Sequence, residues 1–183
     1  MIEGDQIMER ITTPLDTKQI VKLKAGNKVL LSGIIYTARD QVHKQLANAI
    51  IQKKRLPIDL KGQIIYYCGP TLKPKGKIIG SCGPTTSSRM DEFCPALLKA
   101  GLSAMIGKGR RSQEVVRAIR RYGAIYFLTY AGCGALLSCF IKKVELIGYP
   151  ELGSEAICSL YVQEFPLIVG IDSYGNDIYN GSS

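Results

Sequence analysis

Between Gly80 and Asp91 the chain reads Gly-Ser-Cys-Gly-Pro-Thr-Thr-Ser-Ser-Arg-Met-Asp, so four consecutive hydroxyls, Thr85 to Ser88, stand directly before Arg89. The glycines let the backbone bend and approach a ligand closely, and the hydroxyls and the orphan N–H groups of a helix start supply uncharged donors beside the guanidinium. One Ser, Thr, Asp or Asn is enough to cap a helix. The surplus hydroxyls and the adjacent Arg therefore read as an anion-handling turn. Two further bases share a turn-associated setting: Arg39 follows an apolar run and precedes Asp40, and Lys108 lies between Gly107 and Gly109. Arginine grips a carboxylate through two parallel N–H bonds and lysine adds a compact charge, so the set suits a small di-anionic acid. A second reading stays open for Arg39 and Lys108, that of solvated bases at element ends.

Other chemistries are excluded by spacing. Gly107-Lys108-Gly109 lacks the G-x-x-x-x-G-K-[ST] pattern of a phosphate loop, which removes a nucleotide hydrolase. His43 is the sole histidine, which argues against a zinc or His-triad site lying wholly within the chain. Its own role is open among general acid, general base, substrate hydrogen-bond donor and structural group. The cysteines at 68, 82, 94, 133, 139 and 158 form no C-x-x-C pair, which argues against a zinc ribbon or ferredoxin-type cluster and favours buried free thiols.

The elements that must position these residues follow from periodicity. Residues 28–38 form an apolar, β-branched run that reads as a buried strand, with Gly33 marking a bulge or close approach. Val42, Leu46, Ile50 and Ile51 then follow helical spacing, with Asp40 the expected N-cap and His43 in the first turn. Residues 63–68 read as a second strand and residues 77–79 as a short one leading into the hydroxyl motif. Phe93, Leu97, Leu98, Leu102 and Met105 indicate a helix, although Gly101 weakens its last turn. Ser112 caps a further helix that buries Val115, Val116 and Ile119 and stops at Gly123. Residues 124–130, 144–149, 156–162 and 167–172 are the remaining strands, a short apolar helix precedes residue 141, and a C-terminal hairpin turns at 173–177. Strands and helices alternating in short units predict a layered α/β domain.

Length fits one domain, residues 1–183, with 46% hydrophobic residues to build a core, and ends fraying at 1–5 and 180–183. No apolar run is long enough to span a bilayer and the N-terminus is acidic where a leader would be basic, so a soluble, cytoplasmic protein is expected. The net charge of +9 is uneven: every Lys and Arg precedes residue 150, leaving +14 there and −5 beyond. Such a balance attracts an anionic ligand, an acidic protein surface or nucleic acid. The bases occur in short groups at element ends such as Arg110-Arg111, without interleaved aromatics or Trp, and this speaks against nucleic acid. A non-enzymatic basic binding module is the alternative of a different class.

Taken together, Tyr36-Thr37-Ala38-Arg39-Asp40 with His43-Lys44, GPTTSSRMD at 83–91, Pro95-Ala-Leu-Leu and Ile106-Gly107-Lys108-Gly109 resemble the β subunit of class I iron–sulfur hydro-lyases. These are the two-subunit fumarate hydratases and the related L-tartrate dehydratases, whose β part is the C-terminal domain of single-chain members. The resemblance runs from about Val29 to Gly175-Asn176-Asp177-Ile178-Tyr179. It implies a swivelling β/β/α domain that closes over a 4Fe-4S cluster held by cysteines of an α subunit, with no cofactor or metal bound by this chain. By motif position Arg39, Arg89 and Lys108 resemble substrate-carboxylate ligands, Thr85 the hydroxyl that either moves the proton or orients water, and His43 a further substrate-binding group. The implied activity is reversible hydration of fumarate to malate by a hetero-oligomer, inactive without its α subunit, with pairing through β subunits as a further expectation. Tartrate dehydration is the alternative, and Glu164-Phe165-Pro166-Leu-Ile-Val looks more like the fumarase branch.

Overall fold

The structure, a computed structural model, describes residues 8–180. The expected fraying at 1–5 and at 181–183 lies outside the described residues, whereas Asn180 ends a short 3-10 turn. Strands β1 (Glu9–Thr12), β2 (Lys28–Thr37), β3 (Ile64–Tyr66), β4 (Ala104–Gly107) and β5 (Ile125–Leu128) lie side by side in that order, each parallel to the next. Strand β7 (Ile157–Ile171) runs antiparallel to both β5 and β2, and β6 (Ile141–Gly148) pairs with its first half. Because β2 meets both β3 and β7, strands β2, β3, β4, β5 and β7 close into a barrel. The protein is thus a small mixed α/β unit around a closed barrel.

Burial follows from the strand period. Side chains alternate between faces, and here both faces of the middle strands are covered, so β3, β4 and β5 are buried at every position. Tyr66, Ile106 and Phe127 join Leu31, Ile35, Leu160 and Phe165 in one apolar cluster, the barrel interior. Ile65, Tyr67, Met105 and Tyr126 point the other way, against α2 (Asp40–Ile51), α3 (Cys94–Lys99) and α4 (Gln113–Tyr122). Continuous apolar strands with helical crossovers are what a parallel sheet covered on both sides requires. Helix α4 starts where Ser112 Oγ accepts from Val115 N and stops at Gly123, whose φ of 65° suits a left-handed cap.

Several expectations change against the structure. The bulge at Gly33 is present, with φ 115°, and a Cβ there would collide with Thr13. The two strands expected at 156–162 and 167–172 are one strand, β7, bent at Glu164 with φ 53°. The β2 ladder runs past Pro166 and the β5 ladder takes up at Ile168, and Ser32 Oγ accepts from Glu164 N. Residues 77–79 form no strand, because that loop bonds to itself: Lys77 N donates to Pro74 O and Thr71 N to Ser81 O. Helix α3 ends at Lys99, since Gly101 at φ 108° turns the chain and releases Met105 into β4. The short apolar helix α5 is Gly134–Ser138, and the expected C-terminal hairpin reduces to one bridge, Ile171 to Asp177, over a turn held by Asp172. No helix among the described residues is long and apolar enough to cross a membrane.

Candidate functional site

Parallel strands deliver their C-terminal ends to one edge, which is where open α/β sheets place ligands. Strand β2 ends two residues before Arg39, β3 ends immediately before Tyr67, and β4 ends immediately before Lys108. The hydroxyl motif lies across these ends as backbone: Thr85 N donates to Tyr67 O at 2.6 Å, Thr86 bridges Lys108, and Ser87 N donates to Lys108 O at 3.0 Å. Ser87 Oγ in return accepts from Lys108 N, also at 3.0 Å. Gly107 is what permits this approach, because a Cβ there would overlap Ser87 Oγ and come within 2.9 Å of the Tyr67 ring. The helix start expected after the motif is a 3-10 turn, Ser87–Met90, which carries Arg89.

Arg39 and Arg89 meet through one carboxylate. Asp40 Oδ1 accepts from Arg89 Nε at 2.8 Å, and Asp40 Oδ2 lies 3.8 Å from Arg39 Nη2, itself 3.5 Å from Glu155 Oε1. Asp40 was expected to be the N-cap of α2. That position belongs to Arg39, and Asp40 is the first helical residue, its carboxylate drawn to the two guanidinium groups. The aliphatic stem and Nη1 of Arg39 press against Gly69, where a Cβ would lie 2.9 Å from Cδ. Among the described residues only Nε of Arg89 is engaged, and the side chain is 52% exposed. Arg39 Nε, by contrast, is buried with no hydrogen-bond partner among them.

His43 is wholly buried, with its ring edge-on to Tyr67 at 5.0 Å between centroids. Its Nδ1 lies 2.9 Å from Arg39 O, and since a carbonyl only accepts, Nδ1 carries the proton and Nε2 is a bare acceptor without a partner. Burial lowers its pKa to about 4; the Arg39 carbonyl opposes this, and the nearby Arg111 charge reinforces it. The imidazole is therefore neutral at pH 7 and braces the backbone of Arg39.

A second ionic group lies behind the motif, and linear reading missed it. Arg111, expected to be a solvated base at a helix end, has a fully buried side chain and pairs with Asp91 Oδ1 at 2.7 Å. Asp91 Oδ2 accepts from Ser112 N, and the guanidinium sits 4.8 Å from the centroid of the Tyr126 ring. Tyr126 OH in turn donates to Ser87 Oγ at 2.9 Å. Burial opposes the charge on Arg111, but Tyr67, Cys94 and Asp91 outweigh it and keep the group protonated. The sequence carried one signal, an acid directly after the Arg89-Met90 pair. Nothing in its spacing named Arg111 as the partner.

The structure thus brings Arg39 to Arg89 through Asp40, and the motif that carries Thr85 and Arg89 to the backbone of Lys108 through Thr86 and Ser87, with His43 beneath as a neutral brace. Two grooves, about 530 and 800 Å³, flank the loop at 69–81, and neither is lined by Thr85, Arg89 or Lys108. Arg89 is exposed and Arg39, Thr85 and Lys108 are partly so, whereas His43 is buried beneath them. Among the described residues no group of three or more His, Cys, Asp or Glu side chains is placed to hold a metal ion, so they offer no ligand set for a cluster. Cys68, Cys82 and Cys94 are buried as expected, Cys133 and Cys158 are partly so, and Cys139 is exposed.

The chain is 40% identical over 178 residues to a protein of Methanocaldococcus jannaschii named "Putative L(+)-tartrate dehydratase subunit beta", covering 94% of this chain and 91% of that one. It is 36% identical over 181 residues to the anaerobic class I fumarate hydratase of Escherichia coli, and 35% identical over 171 residues to fumarate hydratase 2 of Leishmania major. These alignments take in 97% and 91% of this chain but only 33% and 30% of the two hydratases, so it spans about a third of their length. The family described as "Fumarase C-terminus" matches residues 4–182, and the chain belongs to that family.

Proposed function

We propose that this chain is the β subunit of a two-subunit hydro-lyase that interconverts fumarate and malate, and that Arg39, Arg89, Lys108 and Thr85 form its half of the substrate site. The observation that carries the reading is the joining of Arg39 and Arg89 through Asp40 beside the Thr85 motif, on a partly exposed edge. Cations on such an edge suit a site completed by a second surface. In this reading the chain is a swivelling domain that closes on an α subunit, and the α subunit holds the 4Fe-4S cluster, which would supply Lewis acidity.

The residues of this chain have defined tasks in that reaction. Arg39 and Arg89 bind a carboxylate through their outer N–H groups, and Lys108 adds a point charge. In the dehydration direction a proton leaves the carbon next to a carboxylate, and the electron pair it leaves spreads onto that carboxylate. The three cations stabilise this developing charge. Thr85 Oγ1, as an alkoxide whose own proton has passed to solvent, takes the proton to become the hydroxyl, and returns it to carbon in the hydration direction. A threonine hydroxyl is a very weak base, so the step requires the positive charges of Arg89 and Lys108 close to the oxygen. His43, neutral and buried, holds the Arg39 backbone and makes no contact with substrate.

L-tartrate dehydration is the second reading, favoured by the 40% identity to the M. jannaschii protein over nearly the full length of both chains. Anaerobic co-expression with the iron–sulfur α subunit, followed by assay on fumarate, malate and L-tartrate, separates the two. Activity on fumarate and malate that requires both subunits supports the first. Turnover of tartrate alone supports the second, and no turnover of any of them by a cluster-loaded complex removes both.

A further inference from the structure

Two of the buried thiols pair with each other. Cys68 Sγ and Cys82 Sγ lie 2.7 Å apart in the apolar interior, 1% and 0% exposed. The third buried thiol is otherwise engaged, since Cys94 Sγ meets the Tyr67 hydroxyl at 3.1 Å and Arg111 Nη2 at 2.8 Å. The backbone fixes the pair from both sides. Cys68 N donates to Tyr66 O, Cys82 N donates to Gly134 O, and Tyr66 OH donates to Cys82 O at 2.6 Å. The two cysteines bracket the loop 69–81, whose neck is closed by Thr71 N to Ser81 O and Ser81 N to Thr71 Oγ1. That loop carries Leu72, 96% exposed, and Lys73, Lys75 and Lys77, and it separates the two grooves.

We propose that Cys68 and Cys82 are a modification site, a dithiol that a hydroperoxide converts to an intramolecular disulfide sealing the base of this loop. This stands independently of the hydro-lyase reading. In the first step one sulfur attacks a peroxide oxygen, the O–O bond breaks, and a sulfenic acid and one water (an alcohol, from an organic hydroperoxide) are formed. In the second step the other sulfur attacks the sulfenic sulfur, the S–O bond breaks and a further water leaves. The two thiols give up two electrons, the peroxide accepts them, and both thiol protons leave in the products. The bond joins segments that already run together, because Thr85 N donates to Tyr67 O one residue before Cys68 and three beyond Cys82. Its contact with Cys82 and its burial hold the Cys68 thiol protonated, so the reaction is slow.

The test is peptide mapping of the full chain before and after incubation with hydrogen peroxide, with free thiols alkylated under denaturing, non-reducing conditions. Trypsin cuts after Lys75 and Lys77, so Cys68 and Cys82 fall in separate peptides, 62–75 and 78–89, and a link between them is read directly. The expected result is that these two peptides appear joined, lighter by two hydrogens than their sum, in the treated sample alone, and separate on reduction. Recovery of both cysteines in alkylated form, their advance to sulfinic acid without a link, or joining of either to Cys158 overturns the proposal.

Discussion

Asp40 is the residue on which the candidate site turns, because a single carboxylate orients two guanidinium groups that would otherwise repel each other. Its pairs are partly exposed, so they contribute at most about 1 kcal/mol to stability, whereas misplacing a bidentate arginine weakens carboxylate binding far more. Asp40→Ala is therefore expected to leave urea denaturation within about 1 kcal/mol of wild type while raising the KM for a dicarboxylate about tenfold in the assembled enzyme. Arg111 behaves in the opposite way. Its side chain is fully buried, and Asp91→Ala strands that charge, which should cost about 3–5 kcal/mol in the same denaturation measurement. His43 contributes a pH dependence. Its pKa of about 4 in the folded state lies below the ordinary 6.5, so the folded protein binds fewer protons than the unfolded chain between those values. The stability it confers is fully present above pH 6.5 and drains away as the pH falls towards 4. Between pH 7 and pH 5 wild type should lose about 2 kcal/mol more stability than His43→Gln, read by urea denaturation at the two values.

Among the elements, the junction of β4 with the hydroxyl motif sets the position of Thr85 and Arg89. Gly107→Ala would drive a methyl group into Ser87 and the Tyr67 ring. It should cost about 1–3 kcal/mol in thermal or urea denaturation, together with activity. Gly109→Ala meets no atom within 4 Å and strains only a φ of 82°, at a cost of about 1 kcal/mol. A variant pair in which Gly109→Ala proved the more damaging would contradict this account of the junction. These elements were legible in the sequence to different degrees, for physical reasons. Helix α4 announced itself through Ser112, its apolar face and Gly123, all local signals, and β2 did so through an apolar run with one glycine. The unity of β7 was hidden, because what carries the chain through Pro166 is pairing with β2 and β5, strands far away in sequence. The same holds within the site. Arg39, Arg89 and Lys108 were recognisable by type and setting, but the Asp40 bridge and the burial of Arg111 depend on contacts between distant segments.

At the scale of the whole molecule, the barrel brings the C-terminal ends of β2, β3 and β4 to one edge and covers their outer faces with α2, α3 and α4. On that edge Arg89 is exposed and Arg39 and Lys108 are partly so, and two grooves flank the neighbouring loop at 69–81. On the proposed reading this edge is half of a site. This agrees with a chain that spans nearly all of a dehydratase β subunit and a third of single-chain hydratases. The central claim, that this edge supplies the substrate ligands and the proton-transfer hydroxyl, is tested most directly by steady-state kinetics of the anaerobically assembled two-subunit complex. Thr85→Ala should lower kcat about 100-fold or more with little change in KM, and Arg89→Ala should raise KM and lower kcat/KM by a similar factor. A complex with its cluster intact whose kcat and KM stay within about twofold of wild type in both variants would contradict the account.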